Sequence, residues 1–544
     1  REESVDFDNT ENLYIEGDNL EVLKLLREDY LGKIKMIYID PPYNTGSDFI
    51  YDDDFSQTAS EYLENSGQVD SEGNYLVQNT ESNGRFHTDW LNMIYPRIKV
   101  AKDLLSDDGV IFISIDDNEV KNMRNVCDEI FGASNFYVSF AWINSKKEEL
   151  DDDTKFAGAN LGKIKKSHEY VLVYRKSSYK INLDEGSSQF IDKLITNGGN
   201  TISQCVIPHG VKCISKIDKI IKGRVGGEND YFIILNAEGM IIQNGILQND
   251  ITIEGPLRNP VTLTRFFRGE TVIDNKGQQV IDVYLSENGM LNTRKLRAGD
   301  TPSTVLVGKG TTKNGTLALK DLFGVKVFDF AKPTALINYL ISKVEGDDFY
   351  VLDFFSGSAT TAQAVMETNY KKNKRLKYIC IQLPEQIDPS KASTAPAKKI
   401  AEDAIKYLSG IGKPTNICEI GKQRIRLSRQ AFLPKKEEKS GTLFSETESD
   451  RVIDTGFRVL KLDSSNMNSV FYNPEEFSEQ LIKEDNVKED RSSEDLLFQV
   501  MLECNLPLSA KIQAEKIAGK DVFTVNNGYL IACFDENVNE EVIT

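Results

Sequence analysis

The sequence predicts an α/β protein that is built on a doubly wound, mostly parallel sheet and interrupted by one inserted module. Two stretches alternate buried strand-like runs with helical runs, and residues 176–325 separate them. The separating stretch has short strand-like runs with many Gly and Asn turns, which indicates an α+β or β-rich module. After Gln430 a polar linker precedes a small C-terminal α+β domain. We therefore expect four regions: 1–175, 176–325, 326–430 and 431–544.

Composition narrows the class of protein. The chain has 544 residues, of which 40% are hydrophobic and 9% aromatic, so it can bury several cores. No apolar run approaches the ~20 residues that span a bilayer, and no secretory signal precedes the first charges. Because the first residue is Arg1 rather than Met, we expect a short N-terminal piece before it. The seven scattered cysteines and three histidines predict no disulfide framework, zinc site or histidine triad, which fits a reducing cytosol.

The net charge of -19 is unevenly distributed along the chain. Residues 201–326 contain 16 Lys or Arg and 12 Asp or Glu, whereas residues 431–544 contain 12 and 23. A locally basic middle is compatible with a DNA groove, because phosphate contacts depend on the local potential. The alternative is an ordinary acidic cytosolic enzyme in which the uneven charge distribution does not indicate a binding partner.

The first block begins with a strand, followed by a helix and a second strand. The runs KMIYI (35–39) and GVIFISI (109–115) are β-branched or aromatic and bounded by turn residues, which predicts buried parallel strands. Between them, apolar residues recur at helical spacing over Thr88–Leu105, with Thr88 or Asp89 as the predicted N-cap.

A distinctive motif, D-P-P-Y, follows the first of these strands. In a doubly wound sheet the strand's carboxyl end faces the ligand crevice, so Asp40 is expected at the edge of a pocket. Pro41 and Pro42 have fixed φ angles and no N–H, so their carbonyls are held rigidly. Asp40 and the Pro41 carbonyl then form a pair of acceptors, and Tyr43 adds a flat face for stacking. The alternative is a strand end followed by a plain turn.

Two acceptors beside an aromatic ring suit an exocyclic amino group on a planar base that has been flipped out of a duplex. The lone pair of such an amine is delocalised into the ring, and hydrogen bonds from both N–H groups favour a more pyramidal, nucleophilic nitrogen. No histidine base is required, because the proton can leave after alkylation. Stacking contributes ~1–3 kcal/mol, comparable to the cost of flipping.

The second block repeats the alternation of helices and strands. Its predicted order is a helix over ALINYLISKV, a strand over YVLDF, a helix over TTAQAVM and a strand over KYICIQL. The intervening loop, F-S-G-S-A, suits the approach of a nucleotide-like ligand to a helix N-terminus. It lacks G-x-G-x-x-G, and the chain has no G-x-x-x-x-G-K-[ST], so ATP hydrolysis is not expected. Glu385 lies where an acid can bind ribose hydroxyls; a turn used only for packing is the alternative.

The ordered set of motifs resembles the Mod subunits of type III restriction-modification systems, which are β-class DNA adenine methyltransferases. The resemblance extends over nearly the whole chain. Its motifs are IEGDNLEVLKLL, YIDPPYNTGSDFIYDDDF, SGQVDSEGN, NTESNGRFHTDWLNMIYPR, GVIFISIDDNEV, KPTALI, LDFFSGSATTAQAV and GFRVLKLDSS. It implies an S-adenosylmethionine-dependent methyltransferase fold in which the D-P-P-Y block precedes the cofactor block.

The resemblance also implies roles for individual residues. The target adenine would be held by Asp40, Pro41 and Tyr43, with Pro42 shaping the turn. The cofactor would contact the following residues: Asp18, Lys332, Pro333, Thr334, Asp353, Phe354, Phe355, Gly357, Ser358 and Glu385. Asp18 and Lys332 could equally be a capping acid and a surface lysine. Ala359 replaces a glycine that many methyltransferases have, which predicts helical dihedrals there because alanine tolerates positive φ poorly.

The inserted residues 176–325 would be the target-recognition domain. Candidates for phosphate or guanine contacts are Arg258, Arg265, Arg268, Arg294, Lys295 and Arg297, although each could be a solvated surface charge. The acidic tail would dock on a partner chain. The family's partners are double-stranded DNA, a second Mod copy and a separate Res subunit with helicase and nuclease activities, in the bacterial cytoplasm. Cytosine amino methylation and a catalytically silent recognition module remain the alternatives.

Overall fold

The computed structural model describes most of the chain in thirteen stretches. They are residues 1–45, 49–50, 77–78, 86–144, 166–182, 184, 190–274, 278–296, 301–392, 394–433, 453–468, 487–535 and 538–543. Some of the features discussed from sequence lie outside them: the SGQVDSEGN motif, parts of the motifs YIDPPYNTGSDFIYDDDF and NTESNGRFHTDWLNMIYPR, Arg297 and the polar linker after Gln430. Within the described stretches, no helix combines the length and the apolarity needed to cross a membrane.

The first part of the chain contains seven strands and three helices among its described residues. They are β1 (Leu13–Glu16), α1 (Asn19–Tyr30), β2 (Ile34–Ile39), β3 (Phe49–Ile50), β4 (Val77–Gln78), α2 (Phe86–Leu104), β5 (Leu105–Ile115), α3 (Val120–Phe131), β6 (Phe136–Ile143) and β7 (His168–Arg175). The predicted strands at 35–39 and 109–115 are confirmed. The predicted cap of α2 is wrong, because the helix already includes Phe86 and places Thr88 and Asp89 in its first turn.

The middle of the chain contains short strands and one helix. They are β8 (Phe190–Leu194), β9 (Ser203–Ile207), β10 (Lys219–Ile221), β11 (Gly223–Gly226), β12 (Tyr231–Ile234), β13 (Met240–Gln243), β14 (Ile246–Leu247), β15 (Ile251–Gly255), α4 (Pro260–Phe267), β16 (Val272–Ile273), β17 (Gln279–Leu285) and β18 (Leu291–Leu296). Their pairings are antiparallel, in sheets ordered β10-β13-β14, β11-β12-β15-β9 and β16-β17-β18-β8. The predicted β-rich texture is confirmed.

The last part of the chain returns to alternating helices and strands. The elements are β19 (Val305–Leu306), α5 (Thr312–Phe323), α6 (Thr334–Ser342), β20 (Tyr350–Asp353), α7 (Thr360–Lys372), β21 (Lys377–Gln382), α8 (Ala395–Gly410), α9 (Ile417–Ser428), β22 (Arg458–Lys461), α10 (Ser493–Glu503), β23 (Ile512–Ile517), β24 (Lys520–Val525), β25 (Leu530–Cys533) and α11 (Glu540–Ile543). Single 3₁₀ turns lie at Ala133–Asn135, Pro389–Lys391 and Arg429–Phe432.

The main sheet has nine strands in the order β19-β6-β7-β5-β2-β20-β21-β1-β22. Only β7 runs antiparallel to its neighbours β5 and β6, and the other pairs in this sheet are parallel. Strand β2 alternates between two buried layers: Ile37 and Ile39 pack on the side of α1, α2 and α3, whereas Met36 and Tyr38 pack on the side of α6 and α7. Burial on both faces is what a doubly wound α/β sheet requires, so the predicted fold class is confirmed.

The chain divides into two compact units, and this division differs from the boundaries expected from sequence. The smaller unit is Leu183–Pro302, and the larger one combines Arg1–Asn182 with Ser303–Thr544. Residues 303–325 fall in the larger unit because β19 pairs with β6 and thereby extends the main sheet. The run FRVLKL likewise does not belong to a separate tail domain, since β22 pairs in parallel with β1. The expected small α+β region corresponds to β23–β25 and α10, which share an apolar cluster.

Candidate active site at the carboxyl edge of the sheet

Two loops meet at the carboxyl edge of the main sheet. Strands β2 and β20 are adjacent and parallel, with Ile37 opposite Leu352. Asp40 follows Ile37 by three residues, and Phe355 follows Leu352 by three residues, so the D-P-P-Y motif and the F-S-G-S-A loop leave the sheet side by side. This edge of an open α/β sheet is the usual place for ligands. The structure therefore brings together the two motifs that are more than 300 residues apart in sequence.

The D-P-P-Y segment is held from behind by hydrogen bonds. The indole nitrogen of Trp90 on α2 donates to the Pro42 carbonyl at 2.8 Å. Asn44 is buried with a positive φ of 58°, and its side-chain amide donates to Glu119 at 2.6 Å. The Pro41 carbonyl accepts no hydrogen bond from the part of the chain that is described. The turn thus commits the Pro42 carbonyl to the protein and leaves that of Pro41 for a ligand.

Asp40 belongs to a compact cluster of four side chains, which we call the reacting cluster: Asp40, Tyr43, Glu169 and Lys332. The Lys332 ammonium lies 2.8 Å from the Tyr43 hydroxyl, 2.9 Å from Asp40 Oδ1 and 3.3 Å from Glu169 Oε2. The Tyr43 hydroxyl is 3.0 Å from the same two carboxylate oxygens, so its single proton is donated to one of them at a time. Lys332 is buried, and the alternative that it is a surface lysine is therefore wrong.

The low exposure of the reacting cluster shifts the pKa values of its members. Burial raises the pKa of Asp40, and the neighbouring Lys332 ammonium acts in the opposite direction. Burial acts to lower the pKa of Lys332, but the carboxylates of Asp40 and Glu169 outweigh it and hold this pKa above its ordinary value. Burial, followed by the two carboxylates, raises the pKa of Tyr43 well above its usual range. Lys332 is therefore charged and Tyr43 neutral at physiological pH.

The F-S-G-S-A loop between β20 and α7 is fixed by several polar contacts. Asp353 accepts hydrogen bonds from the Phe355 N–H at 3.2 Å and from the Thr361 hydroxyl. Burial raises the pKa of Asp353 to about 7. The Gly357 N–H donates to Gln382 Oε1 at 2.7 Å, and the Ser356 N–H donates to the Ile381 carbonyl at 3.2 Å. Strand β21 thus supports the loop from the neighbouring position in the sheet.

Ala359 does not adopt the helical dihedrals predicted from the sequence. Its φ of 58° and ψ of 43° are left-handed, and it caps α7 at the position where a glycine would be free of strain. The Ala359 N–H donates to the Ser356 carbonyl at 2.7 Å, which closes a tight turn. The prediction failed because the loop must reverse direction within four residues, and tertiary contacts offset the cost of this conformation.

A buried arginine provides many of those contacts. Arg424 on α9 donates to the Ser358 hydroxyl at 3.0 Å, to the Thr360 hydroxyl at 2.6 Å and to Gln363 at 2.8 Å. Burial lowers the pKa of Arg424 to about 10, which leaves the guanidinium charged at neutral pH. The arginine therefore binds both the end of the loop and the first turn of α7.

The remaining predicted site residues lie at the same edge of the sheet. Asp18 caps α1 by accepting the Glu21 N–H at 3.0 Å and pairs with Arg97 at 3.1 Å, so its capping role is confirmed. Its neighbour Asn19 donates to the Phe354 carbonyl at 2.8 Å. Pro333, directly after Lys332, is the N-cap residue of α6, and Thr334 is the first residue of that helix. The structure thus places Lys332 on the Asp40 side, and Pro333 and Thr334 at a helix start beside it.

Glu385 follows β21 and is half-buried. Burial raises the pKa of its carboxyl to about 7. Its backbone carbonyl accepts the Ile417 N–H at 3.0 Å, which fixes the segment against α9. The described residues provide no hydrogen bond to the Glu385 carboxylate, and the buried Ser356 hydroxyl also lacks a partner there. Both groups are suited to a polar ligand that approaches the loop.

Three residues at this edge were not predicted from the sequence: Glu169, Gln382 and Arg424. Glu169 lies on the antiparallel strand β7, and the sequence offered no motif around it. Gln382 ends the strand that precedes Glu385, so the same strand-end argument could have identified it. Arg424 lies on α9, some 65 residues after the loop that it supports, and its signal is visible only in three dimensions.

Several cations of the smaller unit form contacts within that unit. Arg265 pairs with Glu270 at 2.7 Å, Arg294 with Asp192 at 2.9 Å and Lys295 with Asp274 at 2.8 Å. The Arg258 guanidinium donates to the Thr196 carbonyl at 2.8 Å. Residues 183–302 contain 13 Lys or Arg and 14 Asp or Glu, so the unit is nearly neutral in a strongly acidic chain. These pairs favour a structural role for the four cations over direct reading of bases.

Residues 34–390 match the family described as DNA methylase, and this match covers both motifs of the site. Since it includes more than half of the chain, the protein belongs to the DNA methylase family. The model of this family is named for N6 and N4 methyltransferases.

Among curated proteins, the chain is similar to Mod subunits of type III restriction-modification enzymes. It is 32% identical over 393 residues to the EcoPI Mod subunit of Escherichia phage P1, and the aligned region covers 70% of this chain and 59% of that subunit. It is 33% identical over 408 residues to the StyLTI Mod subunit of Salmonella typhimurium, covering 74% and 56%. The EcoP15I Mod subunit of Escherichia coli is 31% identical over 398 residues, covering 69% and 59%. The chain thus spans less than two thirds of the length of these relatives.

Solved structures of DNA methyltransferases overlap with the chain more loosely. The cytosine-N4-specific PvuII DNA methyltransferase superposes with a TM-score of 0.33 and 12% identity, covering 75% of this chain and 96% of that one. The M1.HpyAVI complex with SAM has a TM-score of 0.26 and 14% identity, covering 72% and 98%. Because both scores are low, the fold class here depends on the strand order and the two buried layers.

Proposed function

We propose that this protein is a sequence-specific DNA methyltransferase. It transfers a methyl group from S-adenosylmethionine to the N6 amino group of a flipped adenine, as the modification and DNA-recognition subunit of a type III restriction-modification complex. The observation that carries the proposal is the position of Asp40 and the Pro41 carbonyl, which lie beside the F-S-G-S-A loop at one sheet edge. An amino group held by the first pair would face a methyl donor held by the second loop.

On the base side, two acceptors hold the target amine. Asp40 Oδ1 is occupied by Lys332 and Tyr43, while Asp40 Oδ2 accepts no hydrogen bond from the described residues. Oδ2 and the Pro41 carbonyl are therefore the two acceptors that receive the N–H groups of adenine. Accepting both hydrogens orients the nitrogen lone pair away from the ring plane. The Tyr43 ring supplies the stacking face, which offsets ~1–3 kcal/mol of the cost of extruding the base.

On the cofactor side, the residues present fit an adenosyl group with an amino-acid tail. Glu385 offers a half-buried carboxylate to ribose hydroxyls, and the loop presents the unpartnered Ser356 hydroxyl. Phe355 and Gly357 form the wall of the same loop, and Asp353 orients the Phe355 N–H. We assign Asp18, Pro333 and Thr334 to the rim of this site. S-adenosylmethionine, when bound, supplies an electrophilic methyl group on a sulfonium centre.

Replacing Arg424 with Met is expected to weaken cofactor binding. The substitution keeps the aliphatic stem but removes the donors to Ser358, Thr360 and Gln363. Loss of these buried hydrogen bonds should lower the free energy of unfolding by about 2–4 kcal/mol and the affinity for S-adenosylmethionine about tenfold. Calorimetric titration and thermal unfolding would measure both. The exposed Arg375→Met serves as the control, and an unchanged cofactor affinity in Arg424→Met would contradict the role given to this arginine.

Adenine is proposed over cytosine because Asp rather than Ser precedes the two prolines, a preference that is known from family analogy. N4 methylation of cytosine is the second candidate, since the DNA methylase family is named for both reactions. A silent recognition module, the third hypothesis, would have no need for an intact acceptor pair and a supported cofactor loop. Nucleoside analysis of the modified DNA distinguishes the three hypotheses.

We further propose that the smaller unit, Leu183–Pro302, is the target-recognition domain. Its antiparallel strands are joined by connections that contain many exposed residues, from which side chains can reach base edges in a groove. We propose the acidic C-terminal region, with β23–β25 and α10, as the surface that docks on partners. The expected partners are duplex DNA, a second copy of this chain and a Res subunit, in the bacterial cytoplasm.

Methyl transfer is tested with labelled S-adenosylmethionine and unmethylated genomic DNA, followed by nucleoside analysis and single-molecule mapping. Label in N6-methyladenine at one short asymmetric sequence is the expected result. Label in N4-methylcytosine would instead support the second candidate, N4 methylation of cytosine. No label from a protein that binds both cofactor and DNA, with and without a Res subunit, would overturn the proposal in favour of the recognition module.

Exchange of the smaller unit should change the target sequence. A chimera that carries the corresponding unit of a relative with another recognition sequence is expected to methylate the relative's target at a comparable rate, because the reacting cluster is unchanged. Mapping of methylated positions measures this. The matched control exchanges only β23–β25, which should leave the target unaltered. A chimera that keeps the original target would place recognition elsewhere in the chain.

A further inference from the structure

Glu169 belongs to the reacting cluster, but it takes no part in the proposed binding of the base or of the cofactor. Its Oε1 accepts the side-chain amide of Asn144 at 2.7 Å, and Asn144 in turn accepts the N–H and hydroxyl of Thr312 at 2.8 and 3.0 Å. Its Oε2 faces the Lys332 ammonium and the Tyr43 hydroxyl. Glu169 is therefore held from behind by β6 and α5 and is aimed at the same two donors as Asp40.

The exposure of these groups is unequal. The side chains of Lys332, Glu169 and Asp40 are 8%, 17% and 26% exposed. Asp40 is the most accessible of these three side chains; its Oδ1 contacts Lys332 and Tyr43, and its Oδ2 accepts no hydrogen bond from the described residues. Lys332 and Glu169 lie behind it. In this arrangement Asp40 is the hydrogen-bond acceptor nearest to solvent, and the more deeply buried Lys332 and Glu169 can control its charge.

We propose that Glu169 and Lys332 are positioning residues that control the protonation of Asp40, so that the reacting cluster takes up the proton released in the reaction. This inference rests on the proposed amine methylation. The cluster contains two carboxylates and one ammonium, so it enters the reaction with one uncompensated negative charge.

The balance of the step is simple. The amine lone pair forms the new nitrogen–carbon bond, and the carbon–sulfur bond of the sulfonium donor breaks with its electrons remaining on sulfur. The nitrogen is then positively charged. It loses one proton to Asp40 Oδ2, and the electrons of the N–H bond return to the nitrogen. Protonation of Asp40 leaves the cluster neutral, since Lys332 then balances Glu169 alone.

Other ionisable groups also face the cluster and set its background. They are Tyr38 on β2, Asp353 at the end of β20 and Asp116 after β5. Burial raises the pKa of Asp353 to about 7 and raises that of Asp116. Tyr38 is fully buried and bonded to Ser114 at 2.9 Å. Among the described residues, Lys332 is the only cation in contact with Asp40. Removing Lys332 and removing Glu169 should therefore shift the pKa of Asp40 in opposite directions.

The test is the pH dependence of single-turnover methyl transfer in Glu169→Gln and Lys332→Met. Removing the carboxylate of Glu169 favours ionised Asp40, so the acidic midpoint of the rate should fall by about one pH unit. Removing the ammonium disfavours ionised Asp40, so that midpoint should rise by about one unit or more. Glu169→Gln should also lower the plateau rate about tenfold, because the cluster then accepts a proton less readily.

The matched control is Glu129→Gln, which removes a carboxylate bonded to the Tyr95 hydroxyl at 2.9 Å, at the surface and away from the cluster. Its acidic midpoint should equal that of the parent. A loss of rate without opposite shifts would indicate a merely structural role and overturn the proposal. If Lys332→Met folds poorly, Glu169→Gln decides alone, because its Lys332–Asp40 pair is intact. An unchanged midpoint in that variant would equally overturn it.

A second readout uses the protein without cofactor or DNA. Infrared difference spectra over a pH series follow the C=O stretch of protonated carboxyls, and the band that Asp40→Asn removes is assigned to Asp40. Its midpoint should move down in Glu169→Gln and up in Lys332→Met. A parent that transfers no methyl group but shows these shifts would refute the proposed function alone. A parent that transfers methyl but shows no shifts would refute only this inference.

Discussion

Asp40→Ala is expected to abolish methyl transfer while leaving cofactor binding intact. The substitution removes one of the two acceptors that hold the target amine. The nitrogen lone pair then stays delocalised into the ring, and no acceptor takes the released proton. Removing a single preorganised group of this kind typically costs about 10²–10³-fold in rate, and the double role of Asp40 places the expected loss at or above the upper value.

The same variant should remain folded, and the structure gives the reason. Without Asp40, the Lys332 ammonium retains Glu169 and the Tyr43 hydroxyl as partners, so no buried charge is left alone. Single-turnover transfer and calorimetric cofactor titration measure the two effects separately. Asp103→Ala is a suitable control, because it removes a carboxylate that pairs with Arg27 on the surface. Transfer by Asp40→Ala within threefold of the parent would remove Asp40 from the mechanism.

Gly357→Val is expected to have the opposite profile, with loss of cofactor binding as the primary defect. Gly357 has a φ of 49°, a left-handed conformation that is strongly disfavoured for a β-branched residue. The valine would either strain the loop or rotate the Gly357 N–H away from Gln382 Oε1, which accepts it at 2.7 Å. A cost of about 2 kcal/mol corresponds to about 30-fold weaker binding of S-adenosylmethionine.

Strain at a left-handed glycine lowers stability wherever it occurs, so the control must carry the same strain. Gly412 has a φ of 67°, and, its chain neighbours aside, no atom of the described residues lies within 4 Å of the Cβ that a substitution would add. Gly412→Val should therefore reduce the melting temperature without changing cofactor affinity. Equal affinity of the parent and Gly357→Val in isothermal titration would move the cofactor site away from this loop.

The two profiles together separate the halves of the site. Asp40 acts on the base and Gly357 on the methyl donor, and the adjacent strands β2 and β20 connect them. Loss of cofactor affinity in Asp40→Ala, or loss of transfer at saturating cofactor in Gly357→Val, would show that the two loops are coupled through the reacting cluster.

The strands of the main sheet were accessible from sequence because their signals are local. Runs such as KMIYI and KYICIQL are apolar on both faces and end in turn residues, and this composition alone predicts a strand buried between helical layers. The motifs that follow β2 and β20 were identified by the same logic, since a strand end in such a sheet must face the ligand crevice. These predictions depend on neighbouring residues only.

Long-range contacts explain the predictions that failed. Ala359 is left-handed because Arg424, Gln382 and Ile381 hold the loop around it in place, and local propensity alone would have opposed this conformation. The run FRVLKL joins the main sheet because β1 offers it an open edge. Neither fact follows from the residues within ten positions of the one concerned.

The sequence therefore determined the α/β class, the order of the two blocks and the identity of both motifs. Each strand, helix and motif behind these predictions is recognised from a short run of consecutive residues. Only the tertiary structure decided what surrounds Asp40. Lys332 is a buried partner because α6 begins beside β2, and Glu169 reaches the same point from the antiparallel strand β7. Charge–charge interactions act through space rather than along the chain, so the protonation state of Asp40 depends on residues that are more than 100 positions away.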